Sequence, residues 1–235
     1  MDAVWLLVFC LFGFAETARA QIAANVILES NALFRGETIS RDDPAVTIDV
    51  SYDHPSGFFA GASFSVAAGD HDPRMIANTQ YGGFALRRGE VSLEVGAIRR
   101  DYDTHSLYDE DYHGRYVEGF VGASYRKIRA RIYVSPSYLA DRRNTFYGDV
   151  NALILQQGKW SLSGHAGLYA IPRQEGVEGP TRFYIDGSLT VARPIGSFNA
   201  SLTVANSNYP VFSLSKGTRL FDNKPRVALS LSKAF

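Results

Sequence analysis

"IRARIYV", residues 128 to 134, alternates without a fault. Ile128, Ala130, Ile132 and Val134 fall on one face of an extended chain, and Arg129, Arg131 and Tyr133 on the other. Period two is the period of a β-strand. The two arginines decide which face meets what. On the lipid face of a membrane barrel, an Arg near the bilayer midplane costs about 2 to 4 kcal/mol. If this strand crosses a membrane, its isoleucines face lipid and its arginines face the lumen.

The same alternation recurs through the chain. "VSLEVGA" (91–97) sets Val91, Leu93, Val95 and Ala97 against Ser92, Glu94 and Gly96. "WSLSGHAGLY" (160–169), "FYIDGSLTV" (183–191) and "FNASLTV" (198–204) divide in the same way. Twelve such segments fall near 22–34, 44–53, 58–67, 77–87, 91–100, 113–125, 128–136, 144–156, 159–169, 181–192, 197–206 and 225–235. The links between them alternate in length. "HPSG", "RRGE", "RKI", "QQGK" and "RPIG" are tight, and most hold the Gly or Pro a reversal needs. The intervening links are longer and more charged, such as "RRDYDTHSLYDEDYH". A soluble barrel of lipocalin type also alternates, but its apolar face points inward and its links need not alternate in length.

The expected fold is therefore all-β: a single antiparallel transmembrane β-barrel of about twelve strands, with short periplasmic turns and long extracellular loops. Aromatic residues gather at strand ends, where an interfacial girdle belongs. Tyr52, Phe58, Tyr125, Trp160, Phe198 and Phe235 lie near the short turns, and Phe34, Phe146, Tyr169 and Phe183 near the long loops.

Composition sets outer limits. The 235 residues carry 24 basic and 24 acidic side chains, so global charge gives no argument for a nucleic-acid partner. Residues 4–15 form an unbroken apolar run, too short for a membrane-spanning helix. Ala18-Arg19-Ala20 follows it and fits a small-x-small cleavage site. Residues 1–20 read as a secretory signal peptide and 21–235 as the barrel, although Asp2 precedes the run where a basic residue is usual. The one cysteine, Cys10, lies in the signal, so the mature chain would hold no disulfide.

Short motifs flank the repeat: Asn25, then Phe34-Arg35-Gly36, Pro44-Ala45 and His54-Pro55-Ser56-Gly57, with Ser232 to Phe235 at the end. In these the chain resembles the TorF-type porin family of proteobacterial outer-membrane barrels. It departs from that family at Ser30-Asn31-Ala32-Leu33, where Ser-Asp-Tyr is common. The resemblance implies a Gram-negative outer-membrane location, reached by export, in contact with outer-membrane lipid and lipopolysaccharide. It also implies that Val227, Leu229, Leu231 and Phe235 form the terminal pattern read by the barrel assembly machinery. Lys233 departs from that pattern, and a lysine at the membrane rim can carry its amine to water. The closing strand is expected to pair with the one starting near Asn25.

The inward phase holds one acid on each of six strands, Glu29, Asp49, Glu94, Glu118, Asp149 and Asp186, together with Arg129 and Arg131. Two readings stay open. The charges set a field that sorts ions or small polar solutes diffusing through the lumen, or they pair into a network that plugs the barrel and leaves function to the loops. Strand number does not choose: eight strands are filled by side chains, sixteen leave an aqueous channel, and twelve lies between.

Ser163 and His165 share a face, but a nucleophile needs its base oriented by a third group, and the sequence offers none in a convincing place. No enzymatic activity is expected. The acidic stretch 101–113, with Asp101, Asp103, Asp109, Glu110 and Asp111 beside His105 and His113, reads as a solvated loop rather than a cation site. Asn199-Ala200-Ser201 matches a glycosylation triplet but lies inside a strand. There is no phosphate loop, dinucleotide fingerprint or zinc spacing, so no cofactor or metal is expected.

Overall fold

A computed structural model of the protein describes residues 21–68, 73–102, 114–136, 144–173, 181–208, 211–213, 218–220 and 224–235. From the N-terminus, β1 (Gln21–Glu29) leads into a small hairpin, β2 (Leu33–Phe34) and β3 (Glu37–Thr38). Nine long strands follow: β4 (Ala45–Asp53), β5 (Phe58–Ala68), β6 (Pro73–Arg88), β7 (Val91–Tyr102), β8 (Gly114–Tyr125), β9 (Ile128–Ser135), β10 (Thr145–Gln157), β11 (Trp160–Ile171) and β12 (Arg182–Ile195). β13 (Phe198–Ser207), a second small hairpin of β14 (Val211–Ser213) and β15 (Thr218–Leu220), and β16 (Arg226–Ala234) complete the chain.

The twelve long strands close into one barrel of antiparallel neighbours, and the two small hairpins stand outside its ladder. Closure leaves no unpaired strand edge, which a bilayer would not tolerate. The seam is the expected one. β16 pairs with β1, from Asn25 opposite Ala234 to Glu29 opposite Ser230. The Phe235 amide donates to the Ala24 carbonyl at 2.9 Å, extending the ladder to the last residue.

The barrel is apolar outside and polar inside. Ile132, Ile185 and Leu229 are each more than half exposed on the outer face, whereas Arg131 and Glu118 are buried. Each of the twelve expected segments overlaps a barrel strand. β6 begins earlier than its alternation suggested, at Pro73, because a bulge breaks the period: Ser65 faces Ala77 but Val66 faces Met75. Ile76 and Ala77 therefore both turn inward.

The five tight turns share a left-handed residue. Four use glycine, Gly57, Gly89, Gly158 and Gly196, and the fifth uses Arg126, at φ 51°. Four of these links are two residues long, and such hairpins need positive φ because only that twist matches the flanking strands.

Two expectations need correction. The first strand does not run to residue 34. It ends at Glu29, and the chain then turns into the barrel. The girdle is also smaller than expected. Tyr52, Phe58, Tyr125, Trp160, Phe198, Phe235, Phe146 and Phe183 are exposed on the outer face, but Tyr169 is buried inside. It shares the inward phase of Ser163 and His165, so nearness to a strand end misled where alternation would not have. Phe34 also lies inside, against Tyr102 at 5.3 Å between ring centres. Lys233 sits over the rings of Phe235 and Phe198, at 4.7 and 5.7 Å.

Candidate functional site: a hairpin across the lumen

Residues 30–44 fold inward rather than over the rim. Leu33 pairs with Thr38 and Phe34 with Glu37, leaving Arg35-Gly36 as a two-residue turn. Both turn residues have positive φ, 47° and 80°, the signature of a type I′ turn. Gly36 is required twice over, since a Cβ there would also fall against the Asn206 carbonyl of β13.

The base of this hairpin is held by a polar knot. The Asn31 amide donates to Asp42 at 2.7 Å, while the Asn31 oxygen accepts from Thr38 at 2.6 Å and from Ser40 at 3.1 Å. Arg74 donates to the Ser40 carbonyl and pairs with Asp43. Along the hairpin, Ser207 of β13 donates to Glu37, and Arg226 of β16 stands 4.0 Å from the same carboxylate.

The tip reaches the far wall. Nη2 of Arg35 donates to both oxygens of Glu118, at 2.8 and 3.0 Å. Its guanidinium lies 3.8 Å from the centre of the Tyr147 ring and 5.6 Å from that of Tyr133. Arg100, over the Phe34 ring at 4.8 Å, approaches Glu118 to 3.6 Å. Glu118 is only 1% exposed. A carboxylate that deep is tolerable because cations and hydrogen bonds replace its water.

Behind the tip runs a ladder of inward rings on successive strands: Phe120, Tyr133, Tyr147, Tyr169 and Tyr184, with neighbouring centres 5.7 to 6.4 Å apart. On the other side, the hairpin and the β4–β9 wall enclose a cavity of about 80 Å³, lined by Phe34, Ile39, Asp49, Tyr81 and Arg131 among others. Burial extends around the whole circle, from Ile27 of β1 to Ala228 of β16.

The eight charged residues singled out by alternation all lie on inward strand positions. Glu94 and Arg131 form a two-pronged pair, Nε to Oε1 at 2.6 Å and Nη2 to Oε2 at 2.7 Å. Glu118 meets Arg35 and Arg100 as above. Asp149 accepts from Asn151 at 2.9 Å, and Glu29 from Thr47 at 3.2 Å. Asp49 lines the cavity, and Arg129 is buried beside Arg131 on β9. Asp186 lies 2.7 Å from Nε2 of His165 and accepts from the Tyr147 hydroxyl. Nδ1 of His165 meets Asn151 at 2.9 Å. The two ring nitrogens are thus engaged by Asp186, Tyr147 and Asn151. Val227, Leu229, Leu231 and Phe235 all point outward.

Of the acidic stretch 101–113, only Asp101 and Tyr102 are among the described residues, and Arg115 binds Asp101 at 2.8 Å. Among the described residues no cluster of His, Cys, Asp and Glu could hold a metal.

Two charged residues of this site escaped the sequence reading. Arg100 was legible, since the alternation of "VSLEVGA" carried three residues further puts it inward. Arg35 was not, because nothing in a loop's own sequence says whether it folds in or out. The Arg-Gly turn between Phe34 and Glu37 was the available sign of a hairpin.

A closed twelve-stranded barrel with an apolar outer belt and a charged interior has the fold of the outer-membrane porins. The chain belongs to the Gcw_chp family, bacterial proteins of unknown function, whose profile matches residues 15–235. No curated protein sequence matches it. Among solved structures it is similar to the KdgM porin, at 9% identity and TM-score 0.54 over 91% of this chain and 99% of that one. KdgM in complex with disordered oligogalacturonate gives 8% and 0.55 over the same shares. The NanC porin gives 9% and 0.56, over 92% and 99%. At such identities the likeness is one of fold.

Proposed function

We propose that this protein is a channel of the Gram-negative outer membrane for passive diffusion of ions or small polar solutes. The observation that carries this reading is the lumen wall left uncovered by the hairpin. Ser161, Ser163, Ser188, Thr190, Thr203 and Ser230 point inward there and stay partly exposed. Hydroxyls facing water inside a barrel are what a polar solute needs along its path, and a barrel built only to be filled would bury them. In this reading Arg129, Arg131, Glu29, Asp49, Glu94, Glu118, Asp149 and Asp186 set the selectivity, and the hairpin is the constriction. Residues 1–20 are an export signal. The apolar belt meets lipid and lipopolysaccharide, and the closing strand is presented to the barrel assembly machinery as in the TorF-type porins. KdgM is known with an acidic oligosaccharide, but the fold alone gives no reason to carry that solute over.

The test is conductance in a planar bilayer. Purified folded protein is expected to give discrete steps, and replacing both Arg129 and Arg131 by Gln to shift ion selectivity toward cations. A second reading, a closed barrel acting through its extracellular loops, is favoured by the burial that reaches every strand. It predicts no conductance above the lipid background, in the wild type or in variants that free the hairpin.

A further inference from the structure

The far wall that receives Arg35 has the chemistry of a cation site. Glu118 offers both carboxylate oxygens to one guanidinium nitrogen, and the faces of Tyr147 and Tyr133 close around the same group. A carboxylate flanked by aromatic faces favours guanidinium and ammonium groups, which gain charge-assisted hydrogen bonds and ring attraction together. Arg100 holds the carboxylate less closely, at 3.6 Å, and leaves the ring faces to Arg35. Asp186, bound by the Tyr147 hydroxyl, adds negative charge behind the rings. The occupant comes on the turn of a hairpin whose strands are two residues each. It is a ligand that the chain supplies to itself.

We propose that the Glu118–Tyr147–Tyr133 site accepts the guanidinium or ammonium end of a small cationic solute in place of Arg35, and that this exchange releases the hairpin from the lumen. The proposal rests on the channel reading for its physiological sense, but the site itself is independent of it. Withdrawing Arg35 with nothing in its place strips a buried carboxylate of its closest partner, which is strongly unfavourable. A solute cation restores the pairing. It therefore binds the hairpin-out state and not the hairpin-in state, and only such differential binding can shift the balance between them. Neutral and anionic solutes have no equivalent partner there.

The experiment uses ethylguanidinium, the group removed when Arg35 becomes alanine. In detergent micelles, Arg35→Ala is expected to bind it by titration calorimetry at least tenfold more tightly than Arg35→Ala/Glu118→Gln. Arg35→Gln, which keeps the side chain's bulk, replaces Arg35→Ala if the latter does not fold. Equal binding with and without the Glu118 carboxylate overturns the proposal. In planar bilayers, ethylguanidinium chloride is expected to raise the open probability of the wild type several-fold over sodium chloride at equal strength. Glycerol and sodium acetate are expected to have no such effect. An equal response to glycerol also overturns the proposal. Carboxylate-dependent binding in micelles with no conductance from any variant upholds the site and removes the channel reading instead.

Discussion

Arg35 donates to both oxygens of Glu118, 83 residues further along the chain, at 2.8 and 3.0 Å. This contact joins a loop that leaves β1 to a strand on the far side of the barrel, and it fixes where the hairpin ends. The residues on either side of Arg35 are held as well, Phe34 against Tyr102 and Gly36 against Asn206.

Gly36 offers a way to move the hairpin without touching either charge. Gly36→Val would force a branched side chain into a left-handed backbone and into the Asn206 carbonyl. The variant is expected to assemble as a barrel, shown by heat-modifiable migration on a gel, and to conduct more than the wild type. Unchanged conductance in folded protein would mean that the hairpin is not the constriction.

The Glu94–Arg131 pair ties β7 to β9 along the lumen wall, over Gly122 of β8. Removing one partner leaves the other charge half-buried or buried, at a cost of about 3 kcal/mol. Arg131→Met and Glu94→Gln should each lower the temperature at which the folded gel band is lost. The double variant should lose less than the sum of the two, because its second change leaves no stranded charge. Strict additivity would show that the two side chains do not interact in the folded barrel.

Leu229 and Ser230 are neighbours on β16 with opposite surroundings. Leu229→Arg places a charge on the outer face and should cost about 2 to 4 kcal/mol if that face meets lipid. Ser230→Arg points into the lumen and should cost less. Refolding titrations into lipid vesicles measure the difference, and equal costs would contradict a lipid-facing belt.

Phe235 closes the ladder with Ala24 while its ring stands outside, 71% exposed. Its removal should lower the yield of assembled barrel in the outer membrane several-fold and leave passage across the inner membrane intact. Fractionation with immunoblotting separates the two steps. Equal outer-membrane yield would leave the terminal ring without a part in assembly.

The barrel was legible because its rule is local. Alternation along "IRARIYV" or "VALSLSKAF" assigns each side chain a face within a few residues, and a charge on the wrong face is too costly to allow a slip of register. The alternating link lengths and the left-handed turn residues are local too, so strand number and closing pair followed from the sequence. Where alternation was set aside in favour of position, as at Tyr169, the reading failed. The hairpin obeys no such rule. Leu33, Phe34 and Ile39 would read as an interrupted strand or a loop wherever they lay. Their place inside the barrel is set by partners that only closure brings near: Glu118 for Arg35, Asn206 for Gly36, and Ser207 and Arg226 for Glu37. Sequence by itself determined which face of each strand points outward, because that choice is made one residue at a time. Tertiary structure alone decided what fills the lumen, because that depends on contacts between residues far apart in the chain.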